Sequence, residues 1–89
     1  MIAKQVYYSG RVQGVGFRYT TLEISHDYSV SGYVRNMSDG SVELEAQGAA
    51  EAVGAFLTTI ARQLAGNIRD ATRSDATRMG GERGFVIRY

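Results

Sequence analysis

Two short runs of alternating residues meet at Asp39-Gly40. Upstream, Val30, Gly32, Val34 and Asn36 fall on one side of an extended chain, and Ser31, Tyr33, Arg35 and Met37 fall on the other. Downstream, Val42, Leu44 and Ala46 alternate with Glu43, Glu45 and Gln47. An Asp-Gly pair between two period-2 runs is the strongest short hairpin signal a sequence carries, because both turn positions demand a backbone that few residues tolerate. Any fold open to this chain must therefore contain an antiparallel pair of strands.

The remaining periodicities fill in around that pair. Residues 3–12, with Val6, Tyr7, Tyr8 and Val12, read as a first strand. From Phe17 to about Tyr28 the spacing of Phe17, Thr21, Ile24 or Ser25, and Tyr28 is helical. A second helix is the clearest element, with Val53, Phe56, Leu57, Ile60 and Leu64 on one face, Glu51 near its start and Gly66 just past its end. It carries core and no chemistry. Between 67 and 83 the large apolar residues are Ile68 and Met79, which predicts a weak edge strand guarded by charge, followed by a loop. The echo of Asp70-Ala71-Thr72-Arg73 in Asp75-Ala76-Thr77-Arg78 is too short for a structural repeat. Phe85 to Tyr89 alternates again and closes the chain as a short strand.

The order is thus β-α-β-β-α-β, with room for an extra strand toward the end. Right-handed crossovers put both helices on one face of an antiparallel sheet whose first and third strands are central. The expected fold is α+β, a ferredoxin-like α/β sandwich, built as a single domain over residues 1–89. In that arrangement the start of the first helix approaches the end of the second strand, which brings Asn36 toward the residues around position 18.

Those residues form the segment Gly10-Arg11-Val12-Gln13-Gly14-Val15-Gly16-Phe17-Arg18. Glycines let main-chain N–H groups turn inward, the helix N-terminus adds partial positive charge, and Arg18 supplies a planar fork suited to phosphate oxygens. The segment fits neither common template for such a cradle. Tyr19 occupies the last glycine of a G-x-G-x-x-G frame begun at Gly14, and no Gly-Lys-Ser/Thr follows Gly10. On the glycines alone, an anion cradle and an unliganded strand-to-helix turn remain equally open.

Composition narrows the partners. The 89 residues hold no cysteine, so neither disulfides nor thiolates are used, which suits the cytoplasm. No run is long or apolar enough to span a bilayer, and Met1-Ile2-Ala3-Lys4-Gln5 lacks the apolar core of a signal peptide. Net charge is +1, from ten basic and nine acidic residues, which gives little long-range attraction for nucleic acid or an anionic membrane. If an anion binds, local geometry must hold it.

Gly10 to Arg18, taken with Gly32-Tyr33-Val34-Arg35-Asn36 and Asp39-Gly40-Ser41-Val42-Glu43, resembles the acylphosphatase family, and the resemblance runs on to Phe85-Val86-Ile87-Arg88-Tyr89. It implies a small cytosolic enzyme, expected to act as a monomer, that hydrolyses the carboxyl-phosphate bond of acyl phosphates and releases inorganic phosphate without a metal or cofactor. Carried over by position, it implies Arg18 for the phosphate, Asn36 for the water, and a cradle of Gln13, Gly14, Val15, Gly16 and Phe17. Several positions depart from the family pattern. Tyr33 stands where tryptophan is usual, and Ser29 where a helix-ending glycine is typical; a left-handed serine there would cost about 1 kcal/mol. Ala65-Gly66-Asn67-Ile68 replaces a Gly-Pro-Pro turn, and the valine-rich fourth strand is missing.

Other residues have plainer explanations. Ser25-His26-Asp27 holds the letters of a triad, but successive helical residues point about 100° apart and cannot form a relay. One histidine without cysteine makes no transition-metal set. Asp39 is explained by its turn, and Glu43 and Glu45 by a solvated strand face. Arg11 and Arg35 are assigned structural roles, and at least two of Tyr7, Tyr8 and Tyr33 are assigned to sheet packing. Two competing functions share the fold. An RNA-binding module has the same element order, and Gly14-Val15-Gly16-Phe17 is faintly similar to its Gly-aromatic motif, but that motif belongs on the third strand. A non-catalytic accessory domain is the other, as in the hydrogenase-maturation carbamoyltransferases, whose N-terminal part is similar to acylphosphatases.

Overall fold

In the computed structural model, which describes residues 1–77 and 84–89, the hairpin forms where Asp39-Gly40 places it. Strand β2 (Val30–Asn36) pairs antiparallel with β3 (Val42–Gly48), from Val30 opposite Gly48 to Asn36 opposite Val42. Asp39 closes the turn by accepting from the Ser41 N–H at 2.9 Å and from the Ser41 hydroxyl at 2.6 Å. Those donors hold the Asp39 carboxyl below its ordinary pKa. Around the hairpin lie β1 (Ile2–Gly10), α1 (Phe17–Ser25), α2 (Ala50–Gln63), β4 (Ile68–Asp75) and β5 (Phe85–Arg88).

Among the described residues these strands form one sheet in the order β4-β1-β3-β2-β5. Strands β1 and β3 are central, as the crossover argument requires, and the fold is the expected α+β ferredoxin-like sandwich with β5 as its extra strand. The expectation of a wholly antiparallel sheet needs correction, because β5 runs parallel to β2, with Arg88 beside Arg35. Strands β1 and β2 both run against β3 and so share one direction, which β5 also takes, while β4 runs against β1. Residue periodicity records which faces alternate and carries no strand direction.

The core lies between the sheet and the two helices. Val53, Phe56, Leu57 and Ile60 of α2 bury the face that their spacing defines, against Val6, Val34 and Leu44 of the sheet. Each such side chain contributes roughly 1.5–3 kcal/mol by leaving water. Phe56 meets the Phe85 ring edge-on at 5.2 Å between centroids, which fastens β5 to the same core.

Two boundaries differ from expectation. Strand β1 ends at Gly10, two residues early, because the chain bulges after Ser9 and Gly10 adopts φ 125° with the Asn67 carbonyl 2.5 Å from where a Cβ would stand. Val12 then leaves the ladder and turns into the core. Helix α1 stops at Ser25, three residues early. The N–H groups of His26, Asp27 and Tyr28 bond to carbonyls three residues back, a tighter winding that ends the helix. Tyr28 is drawn toward α2, where its hydroxyl meets Thr59 Oγ1 at 2.6 Å. Ser29 escapes the strain considered above, since among the described residues every positive φ belongs to glycine. Strand β4 is the expected charged edge, eight residues with its charged side chains in water, and Lys4 pairs with Asp75 across to β1. Arg78 and Met79 lie outside the described residues.

The face of the sheet opposite the helices is not solvated as expected. Glu43 and Glu45 are only 3% and 5% exposed. Glu43 accepts from the Tyr7 hydroxyl at 2.6 Å, from Arg35 Nε at 2.7 Å and from the Tyr33 hydroxyl at 3.0 Å. Two phenols and an arginine stem roof over the carboxylate. Burial alone would raise the Glu43 pKa, but the bonds from Tyr7, Arg35 and Tyr33 outweigh it and hold the group below its ordinary value. The same burial, with the bond to Glu43, pushes Tyr33 up to about 12.

Candidate active site

The segment between β1 and α1 is tied down at its start and again at its third residue. The Arg11 N–H donates to the Asn67 carbonyl at 2.8 Å, and Asn67 Nδ2 returns a bond to the Arg11 carbonyl at 3.0 Å. Gln13 Nε2 then donates to two carbonyls at the mouth of the hairpin, Met37 and Ser41, each at 2.8 Å. The Gln13 side chain is therefore spent on architecture. What it leaves for a ligand is its main-chain N–H.

The same holds along the expected cradle. Gly14 and Gly16 adopt φ 73° and 77°, with open space where a Cβ would stand, so conformation and not crowding demands glycine there. Val15 turns its side chain to water, and Phe17 sends its ring into the core, 5.3 Å from that of Tyr8. That contact anchors the start of α1. Among the described residues, no main-chain N–H from Gln13 through Tyr19 donates to a protein acceptor. The first N–H groups of a helix have no intrahelical partner, so the segment ends in a row of free donors backed by the positive end of α1.

Arg18 is the second residue of α1. Its guanidinium carbon lies 5.0 Å from the centroid of the Tyr89 ring, and among the described residues it has no acidic partner. Arg35 contrasts with it, because its charge is met by buried Glu43. The Arg11 contacts given above are main-chain ones. Arg35 thus fits the structural role that the sequence suggests.

Asn36 ends β2 and stands on the opposite face from Arg35. Its carbonyl oxygen Oδ1 is buried and finds no donor among the described residues. Two contacts draw this strand end toward the cradle. Gln13 bonds to Met37, the next residue along, and the pairing of Arg35 with Arg88 brings Tyr89, which lies over Arg18, level with Asn36. The cradle, the start of α1 and the end of β2 thus share one end of the sheet. A hollow of about 480 Å³ between β4 and α2, lined by Ile2, Leu57 and Arg73 among others, touches none of these residues.

His26 and Asp27 follow the last turn of α1 and take no part. Tyr89 closes the stretch Phe85 to Tyr89, to which the sequence assigns no site role, and the pairing of β5 with β2 brings it to Arg18.

A family model described as acylphosphatase matches residues 4–87. The curated acylphosphatase of Bifidobacterium longum is 49% identical over 61 residues, a match spanning 68% of this chain and 63% of that protein. That of Thermotoga petrophila is 37% identical over 89 residues, covering 100% of this chain and 99% of the relative. The crystal structure of acylphosphatase from Bacillus subtilis superposes with a TM-score of 0.87 at 29% identity, covering 100% of both chains.

Proposed function

This chain belongs to the acylphosphatase family and is an enzyme of that family's reaction, hydrolysis of acyl phosphates to a carboxylate and inorganic phosphate; from that premise we propose which groups carry it. Arg18 donates two parallel bonds to the phosphoryl oxygens, and the main-chain N–H groups of Gln13, Gly14, Val15, Gly16 and Phe17 take the remainder. Asn36 orients the attacking water.

The chemistry asks for little more. The leaving group is a carboxylate with a pKa near ~4, which departs without a proton donor. What remains is to hold a dianion, spread transition-state charge over fixed donors and place one water in line with phosphorus. The observation that supports this reading most directly is the buried Asn36 Oδ1, an acceptor without a protein donor. A carboxamide accepts from a water O–H through its oxygen and donates through its nitrogen, so it orients the molecule without deprotonating it. The proton then passes to the substrate's own phosphate or to solvent.

Hydrolysis proceeds without a metal in this reading, its charge met by the guanidinium and the N–H row. We also infer a monomer, since the whole constellation comes from one chain, and a cytoplasmic setting, which a chain without cysteine suits. The RNA-binding alternative is not favoured: Gly14-Val15-Gly16 lies between β1 and α1 and Phe17 opens α1, so none of the four is on a strand.

The test is benzoyl phosphate hydrolysis with EDTA present, together with titration of inorganic phosphate. Arg18→Lys is expected to lose most activity, roughly 100-fold or more, because an ammonium is a point donor where a fork is needed. Asn36→Ala is expected to lose turnover to a similar degree while holding phosphate within about two-fold, since it removes the water's partner and not the anion's. An unimpaired lysine variant, or equal loss of turnover and phosphate binding at Asn36, would overturn the assignment.

A further inference from the structure

Tyr89 lies past the end of β5, and it is 92% exposed. Packing alone gives such a ring no reason to hold a place. Yet its centroid is 5.0 Å from the Arg18 guanidinium carbon, within the range of a cation–π contact. Its hydroxyl meets that of Tyr19, the residue next to Arg18 on α1, a contact that also raises the Tyr89 pKa. The ring is thus fastened at one end by the strand ladder, where Arg88 pairs with Arg35, and at the other by α1.

The kind of partner matters. A guanidinium carries its N–H groups in its plane, so a ring over the flat face leaves every donor on the edge available. A carboxylate partner would take donors from that edge and cancel the charge, as Glu43 does for Arg35 through Nε. An arginine with neither would sample many rotamers and lose that freedom on gripping a phosphate. We propose that Tyr89 is a positioning residue for Arg18, stacking on the guanidinium so that its edge is presented to the phosphoryl oxygens before substrate arrives. The proposal rests on the reading of Arg18 as the phosphate-holding group.

The experiment compares wild type, Tyr89→Leu, Tyr89→Phe, Arg18→Ala and the double variant Arg18→Ala with Tyr89→Leu. It reads inhibition by inorganic phosphate, kcat/KM for benzoyl phosphate and thermal midpoint. Tyr89→Leu is expected to weaken phosphate binding about two- to five-fold, the worth of an exposed cation–π contact, with an unchanged midpoint. Tyr89→Phe retains the ring and is expected to recover most of that loss. In the Arg18→Ala background the leucine substitution is expected to change nothing further. The proposal is overturned if Tyr89→Leu binds phosphate like wild type, if Tyr89→Phe loses as much as leucine, or if the loss is the same with and without Arg18. Failure of the underlying reading looks different: Arg18→Ala itself would then bind phosphate normally, which removes the proposal as well.

Discussion

Two glycines with positive φ show how differently the same residue type can be required. At Gly32, φ is 139° and an added Cβ would stand 1.9 Å from the Glu45 carbonyl oxygen, inside the ladder between β2 and β3. No side-chain movement relieves a backbone clash of that kind. At Gly16, φ is 77° but the space is open, and only the left-handed conformation resists a side chain. Gly32→Ala is expected to lose at least about 3 kcal/mol, enough to threaten folding of a small domain. Gly16→Ala is expected to lose about 1 kcal/mol of stability, with a larger loss of activity, because the N–H row turns on that residue. Urea denaturation of the two variants checks the difference, and equal costs would contradict the account of both sites.

At the scale of elements, the row Tyr7, Glu43, Arg35 crosses three strands, with Tyr33 bonding into its centre. This network makes the sheet sensitive to alkali. Burial pushes both Tyr8, in the core, and Tyr33, on the opposite face, up to about 12. A phenol in the unfolded chain ionises near its ordinary value of about 10. Between those values the unfolded state has shed protons that the folded state retains, so the stability these groups contribute is full below pH 10 and is lost as pH rises toward 12. Each phenol is expected to remove up to about 1.4 kcal/mol per pH unit across that window. Urea midpoints measured from pH 9 to 11.5, with tyrosinate absorbance as the companion signal, check it; midpoints flat across the range would rule it out. None of this network was legible beforehand. Alternation of Val42, Leu44 and Ala46 with Glu43, Glu45 and Gln47 tells which side chains share a face, and it is silent on whether that face is roofed. The hairpin and α2 were legible for the opposite reason. Asp39-Gly40 and the spacing from Val53 to Ile60 are local signals, satisfied without help from distant residues.

Across the whole molecule, the proposed site gathers Gln13 to Arg18, Asn36 and Tyr89 from the beginning, middle and far end of the chain. Arg18 and Asn36 could be proposed from the sequence because each sits in a motif of adjacent residues. Tyr89 could not, because it arrives through the direction of β5 and the pairing of Arg88 with Arg35. A constellation spread so widely exists only in the folded chain, so an anion that binds it favours that state by mass action. Inorganic phosphate at 100 times its dissociation constant is expected to add about 2.7 kcal/mol of stability, read as a rise in thermal midpoint that Arg18→Ala abolishes. A midpoint indifferent to phosphate in the wild type would argue against the cradle.

The double grip of the Gln13 amide on Met37 and Ser41 carries that coupling further. Because one carboxamide rivets the loop to the hairpin mouth, slackening at either piece must slacken the other. Product lodged in the loop would therefore steady a turn it never touches, and an enzyme built this way is protected by what it releases.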